Sequence, residues 1–258
     1  MNILIILGVF IFGLIIGSFL NVVIYRLPRR KSIVYPPSEC PSCNTKIKFY
    51  DNIPVISYLI LGGKCRTCKT KIPVRYPIIE LLTGISAVLV YLKWGLSIDF
   101  AFMFLYMALM IALSVIDLDF KIIPDEINFV GAVSGFIYAF FRQDLSVLDA
   151  LLGAVVGSGL LFLVGYLYLK FRKIEGLGLG DVKLMIFIGM YVGWFGALFT
   201  IFIGSLLGAV VGILYTSIFK VGDKRSFQLP FGPFLAFASI IYIFFGEAIK
   251  SWYLGGMQ

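Results

Sequence analysis

Residues 182–219 read VKLMIFIGMYVGWFGALFTIFIGSLLGAVVGILYTSIF, with one charged side chain, Lys183, near the start. A run this greasy belongs inside a bilayer. As one straight helix it would be roughly 57 Å long, against roughly 30 Å of hydrocarbon core. The run therefore has to break, and residues 193–196, bounded by two glycines, are the place for it.

The rest of the chain is of the same kind. Of 258 residues, 60% are hydrophobic and only 14% charged, with a mean hydropathy of +0.99. A soluble domain carries about 25% charged residues. Other apolar runs of spanning or nearly spanning length fall at 3–25, 78–93, 98–116, 126–141, 147–170 and 230–249. With 182–194 and 196–219 they predict eight transmembrane helices. The first run has neither a basic segment ahead of it nor a small-residue cleavage site, so a retained helix is expected rather than a signal peptide. The expected fold is an all-α polytopic membrane protein. It has a first helix over 1–25, a cytoplasmic module over 26–77, and about seven helices over 78–258.

Basic residues set the orientation. With the N-terminus outside, the segment 26–77 lies inside with eleven Lys/Arg. Lys121, Lys170, Arg172, Lys173, Lys183, Lys220, Lys224 and Arg225 are inside too, while only Lys93, Arg142 and Lys250 are outside. An even helix count returns the C-terminus outside. The net charge of +8 is thus mostly topology. It is spread over several loops and is no nucleic-acid footprint.

Only 26–77 can build anything outside the bilayer, and it holds all four cysteines, in CPSC at 40–43 and CRTC at 65–68. The C-x2-C-x21-C-x2-C pattern is close to a four-cysteine zinc ribbon, with Cys40, Cys43, Cys65 and Cys68 as thiolate ligands. Two disulfides would fit the count, but not a cytoplasmic position. A redox CxxC would need a βαβ unit that is missing here. About fifty residues bury little core, so a metal would supply folding energy.

Histidine is absent, which excludes a Ser-His-Asp triad and any His-ligated metal. Carboxylates remain. Three lie at predicted inner helix ends: Asp117 and Asp119 in SVIDLDFKIIPDE, and Asp181 closing GLGLGD. Ionisable groups there are functional candidates. Lys121, four residues after Asp117, offers it a plain ion pair, and Asp125 after Pro124 is expected to cap a helix. Asp119 should face away from Asp117 if the helix continues. The glycines at 176, 178 and 180 would let a peptide or another helix approach the Asp181 carboxylate; they lack the Gly-Lys-Ser/Thr ending of a phosphate loop. Two carboxylates held close share a proton and supply both an acid and a base, which is what peptide hydrolysis needs.

The chain resembles the type IV prepilin peptidases, bifunctional leader peptidases and N-methyltransferases of pilus and type II secretion systems. The matching segments are GSFLNVVIYRLP at 17–28, CPSC at 40–43, NIPVISYLILGGKCRTCKTKIPVRYPIIE at 52–80, IDLDFKIIPD at 116–125, GLGLGDVKL at 176–184 and LPFGPFLA at 229–236. The resemblance implies that Asp117, rather than Asp119, pairs with Asp181 as the catalytic dyad of a GxGD-type membrane aspartyl protease. It implies prepilins and pseudopilins as substrates, cut at the cytoplasmic face of the bacterial inner membrane. It also implies methylation of the new N-terminal residue from S-adenosylmethionine, for which the residues themselves carry no strand–glycine–helix signature. The competing reading is a transporter or scaffold with a zinc-ribbon regulatory domain.

Overall fold

The computed structural model describes residues 2–173, 178–218 and 229–255. Gly176 and the basic residues Lys220, Lys224 and Arg225 lie outside the described residues. The chain is helical, with two isolated antiparallel bridges and no strand among the described residues. It divides into two compact units, Met1–Ala112 and Leu113–Gln258.

The first unit is built on α1 (Ile3–Arg26) and α3 (Arg75–Trp94), with the one-turn α2 (Ile56–Ile60) between them in sequence. Apolar side chains gain nothing by leaving lipid, so two spanning helices associate where small residues let their backbones close up. The α1 seam carries Gly13 and Gly17. A Cβ at Gly13 would lie 2.8 Å from the Cα of Gly84, and one at Gly17 would lie 2.7 Å from the Cα of Glu80. Asn21 ties the seam, its buried amide donating to Tyr76 O at 3.1 Å and Gly17 O at 3.3 Å.

α4 (Ile98–Phe120) begins in the first unit and ends in the second. The second unit continues with α5 (Asp125–Tyr138), α6 (Val147–Arg172), α7 (Leu179–Ile218) and α8 (Gly232–Gly255). α7 is central and packs against α5, α6 and α8. The expected break falls at Gly193, with φ 69° and ψ −178°, a conformation that a residue with a Cβ adopts only under strain. Leu145 leaves no room there either, since an added Cβ would meet its Cδ1 at 2.6 Å. Arg142 donates from Nη1 to the carbonyl of Tyr191 at 2.5 Å, two residues before the break, and pairs with Asp144 at 2.6 Å.

Six helices among the described residues are long and apolar enough to cross a membrane, not eight: α1, α3, α4, α6, α7 and α8. The protein is multi-pass. Two differences account for the count. The run 126–141 forms α5, whose 14 residues reach only about 21 Å. The runs 182–194 and 196–219 are two helical arms that meet at the Gly193 kink with no loop between them, so they count as the single element α7.

Candidate active site and metal centre

Asp117 sits in the last turn of α4, where the helix macrodipole disfavours a carboxylate. Its compensation comes from elsewhere in the chain. Gly232, the first residue of α8, donates its N–H to Asp117 Oδ2 at 2.9 Å, and that N–H is one of the donors any helix start leaves open. The contact needs glycine, because a Cβ at 232 would lie 2.7 Å from the same oxygen. Asp117 is 5% exposed. Lys121 closes α4 with its backbone, donating to Asp117 O at 2.8 Å. The carboxylate is taken by α8, not by the ion pair with Lys121 that the spacing allowed. Asp119 points to the exposed side, as two further residues of helix require.

Asp181 lies in the first turn of α7, where a carboxylate suits the dipole, and its N–H donates to Gly178 O at 3.1 Å. A Cβ at Gly178 would stand 3.4 Å from Asp181 Oδ2, and one at Gly180 would stand 3.0 Å from Ile123 Cβ. The GxGD glycines thus admit a neighbouring segment and leave the carboxylate a free approach. Asp117 and Asp181 lie within electrostatic reach of each other. Asp125 does not cap α5 with its side chain. Both of its oxygens instead take Lys183 Nζ at 2.8 Å, linking the start of α5 to α7 two residues past Asp181.

The cysteine module is assembled from two copies of one local device. In CPSCNT the Cys40 N–H donates to Thr45 O at 3.0 Å, and Asn44, at φ 54°, returns a bond to Cys40 O. In CRTCKT the Cys65 N–H donates to Thr70 O at 2.9 Å, and Lys69, at φ 60°, returns a bond to Cys65 O. Each turn is closed by a bridge, Glu39 to Lys46 and Lys64 to Lys71. The thiols are free, and the four Sγ atoms lie within 4.8 Å of one another. Cys40 and Cys68 are 3.7 Å apart. A tetrahedral Zn–S₄ site with bonds near 2.3 Å has sulfurs about 3.8 Å apart, so the donor set fits zinc. Hydrogen bonds from the side chain and backbone of Thr70 pull the Cys68 thiol down to about 6. The equivalent bonds from Thr45 lower Cys43, while burial pushes Cys40 up to about 11.

Comparison with known proteins gives these groups a context. Residues 11–94 match the bacterial peptidase A24 N-terminal domain, and residues 104–213 match the type IV leader peptidase family. The prepilin leader peptidase/N-methyltransferase of Pseudomonas putida is 34% identical, over 96% of this chain and 92% of its own. The protein of the same name from Pseudomonas aeruginosa is 35% identical, over 94% and 91%, and that from Legionella pneumophila 32%, over 95% and 93%. The chain belongs to the type IV leader peptidase family. No solved structure matches it. Asp117 and Asp181 both fall in the leader-peptidase match, and the four cysteines fall in the N-terminal one.

Two site features were not legible in the sequence. Gly232 stands inside the recognised LPFGPFLA segment, and its Gly-Pro helix start hints at a backbone N–H left free, but nothing in the sequence ties it to Asp117. Glu80 closes the long segment 52–80 and looks like an ordinary helix acid. It is 8% exposed and accepts the N–H of Val55 at 2.7 Å.

Proposed function

We propose that this protein removes the short basic leader from type IV prepilins and pseudopilins at the cytoplasmic face of the bacterial inner membrane and N-methylates the residue thereby exposed. What supports the reading is that Asp117 and Asp181 lie near enough to feel each other's charge. They come from the ends of two spanning helices, within electrostatic reach, in a chain without histidine. In this reading both are catalytic. One carboxylate takes a proton from water as its oxygen attacks the scissile carbonyl carbon, and the other, protonated, gives its proton to the carbonyl oxygen. The tetrahedral diol then collapses: the C–N bond breaks, the leaving amine takes the proton held by the first carboxylate, and a diol hydroxyl returns its proton to the second. Because Gly232 donates to Asp117 Oδ2, that oxygen is an acceptor, and the shared proton sits on Asp117 Oδ1 or on Asp181.

In this reading the module 26–77 lies on the cytoplasmic side, where the basic residues are in excess. Cys40, Cys43, Cys65 and Cys68 hold one structural zinc. S-adenosylmethionine supplies an electrophilic methyl group. A cavity of ≈ 360 Å³ runs along the inner half of α1, with Ser18, Arg26, Ser38 and Asn52 as its polar groups among mostly apolar side chains. Arg26 carries the cation that a carboxylate seeks, while two of its donors hold Ser32 O and Pro37 O.

Purified protein in detergent, given a prepilin and methyl-labelled S-adenosylmethionine, should yield a shortened pilin carrying label on its new N-terminal residue. An unshortened pilin from folded protein contradicts the reading.

A further inference from the structure

The short α2 is inside out. Its polar Ser57 is buried, donating to Tyr50 O at 2.9 Å and accepting the Ile53 N–H at 3.0 Å. Its apolar residues face outward: Ile56 is 52% exposed, Leu59 70% and Ile60 76%, with Ile53 at 44% just before them. Ile56, Leu59 and Ile60 follow i, i+3, i+4 spacing and share one face. In water such a face is a liability; in lipid it is the expected surface.

Two contacts set the depth at which this face lies. α3 has 20 residues, about 30 Å, so it has no length to spare across the hydrocarbon core. Glu80 is its sixth residue, about 7.5 Å along the axis from Arg75, and its carboxylate accepts the Val55 N–H. Asn52 and Pro54 line one cavity with Ile15, Ser18 and Phe19 of α1. Those three precede Arg26, the last residue of α1, by about 10 to 16 Å of helix. Residues 52–55 are therefore pinned beside the interiors of two spanning helices, not above their ends.

We propose that residues 53–60 form a re-entrant element that dips into the leaflet on the module's side, with Ile53, Ile56, Leu59 and Ile60 in contact with lipid acyl chains. Irregular backbone at that depth has no water to satisfy it, so its polar groups must find partners within the protein. Glu80 and Ser57 meet this need. Glu80 serves Val55, a β-branched residue at φ 62° that cannot join a regular ladder, and Ser57 serves Ile53 N–H and Tyr50 O. Glu80 is then an anchoring residue, and its burial has a purpose separate from the aspartyl pair.

The test is photo-crosslinking of the full chain reconstituted in vesicles of phosphatidylcholine and phosphatidylglycerol. A benzophenone-bearing residue is placed singly at 59, at 60, at the exposed Glu39 in the module, and at the exposed Phe202 of α7. Lipid adducts at 59 and 60 should match those at 202 and exceed those at 39 by about tenfold. Yields at 59 and 60 no higher than at 39 overturn the proposal, as do adducts there with protein rather than lipid. Glu80→Gln keeps an acceptor oxygen and should leave labelling at 59 unchanged. Glu80→Leu should lower it several-fold, with bound zinc reporting that the module is folded. Equal yields from the two variants overturn the anchoring role.

Discussion

The cysteine module and the aspartyl pair are built in opposite ways. Each half of the module is a contiguous hexapeptide that closes on its own backbone, Cys40 with Thr45 and Cys65 with Thr70, so one loop closure brings the four thiols together. The aspartyl pair draws on three helices. Asp117 ends α4, Asp181 begins α7, and Gly232 starts α8, 115 positions after Asp117. A local device survives changes elsewhere in the chain, whereas a site held by helix packing is exposed to small displacements.

The largest effect separating the two regions should come from the carboxylates. Asp117→Asn and Asp181→Asn should each reduce leader cleavage by about a thousandfold or more, since one amide cannot restore the lost acid–base role. Zinc content should stay at one per chain. Cleavage by a folded variant at near wild-type rate breaks the assignment.

Next in size is removal of the metal. Zinc binds thiolates, so protons compete for the site, and affinity should fall as pH is lowered. In the metal-free module Cys68 titrates at about 6 and Cys40 at about 11. Below about 6 the Cys68 proton joins that competition, and the fall should steepen. Zinc content measured against pH checks the sign. Stripping the metal should harm methylation at least as much as cleavage, because a module this small has little core of its own.

Gly232→Ala should be intermediate. A methyl group at 2.7 Å from Asp117 Oδ2 forces α8 or the carboxylate to move, and a misplacement of about 1 Å can cost roughly a hundredfold in rate. Cleavage should fall by about 10- to 100-fold with zinc unchanged. Wild-type cleavage means that the Gly232 contact does not position Asp117. Asp125→Asn should be the smallest. It weakens an exposed pair with Lys183, and exposed pairs contribute about 0–1 kcal/mol, so cleavage should change no more than a few-fold.

The sequence disclosed the two regions unequally, for the same structural reason. Cysteine spacing is local information, so the clustering of the four thiols could be read directly. The helical class followed from hydropathy, and the break at Gly193 from the length of one run. The number of spans did not follow, because α5 is apolar but short and α7 turns without a loop. The choice of Asp117 over Asp119 rested on family resemblance, since spacing places both in the last turn of α4. Contacts between distant segments, Gly232 with Asp117 and Glu80 with Val55, have no periodic signature. Glu80 carries the same side chain as any surface acid, and only its burial marks it out.

The central claim is that cleavage belongs to the helix-end aspartates and methyl transfer to the cysteine module. Methyl transfer requires a neutral amine aligned with an electrophilic carbon, which is a matter of positioning, not of water activation. The direct measurement gives the Asp117→Asn and Asp181→Asn proteins a pilin whose leader has already been removed, with labelled S-adenosylmethionine. Two distinct sites predict label on the N-terminal residue at close to the wild-type rate, although neither protein cleaves a prepilin. If both variants, folded and zinc-loaded, transfer no methyl group, the two activities share one site and the account is wrong.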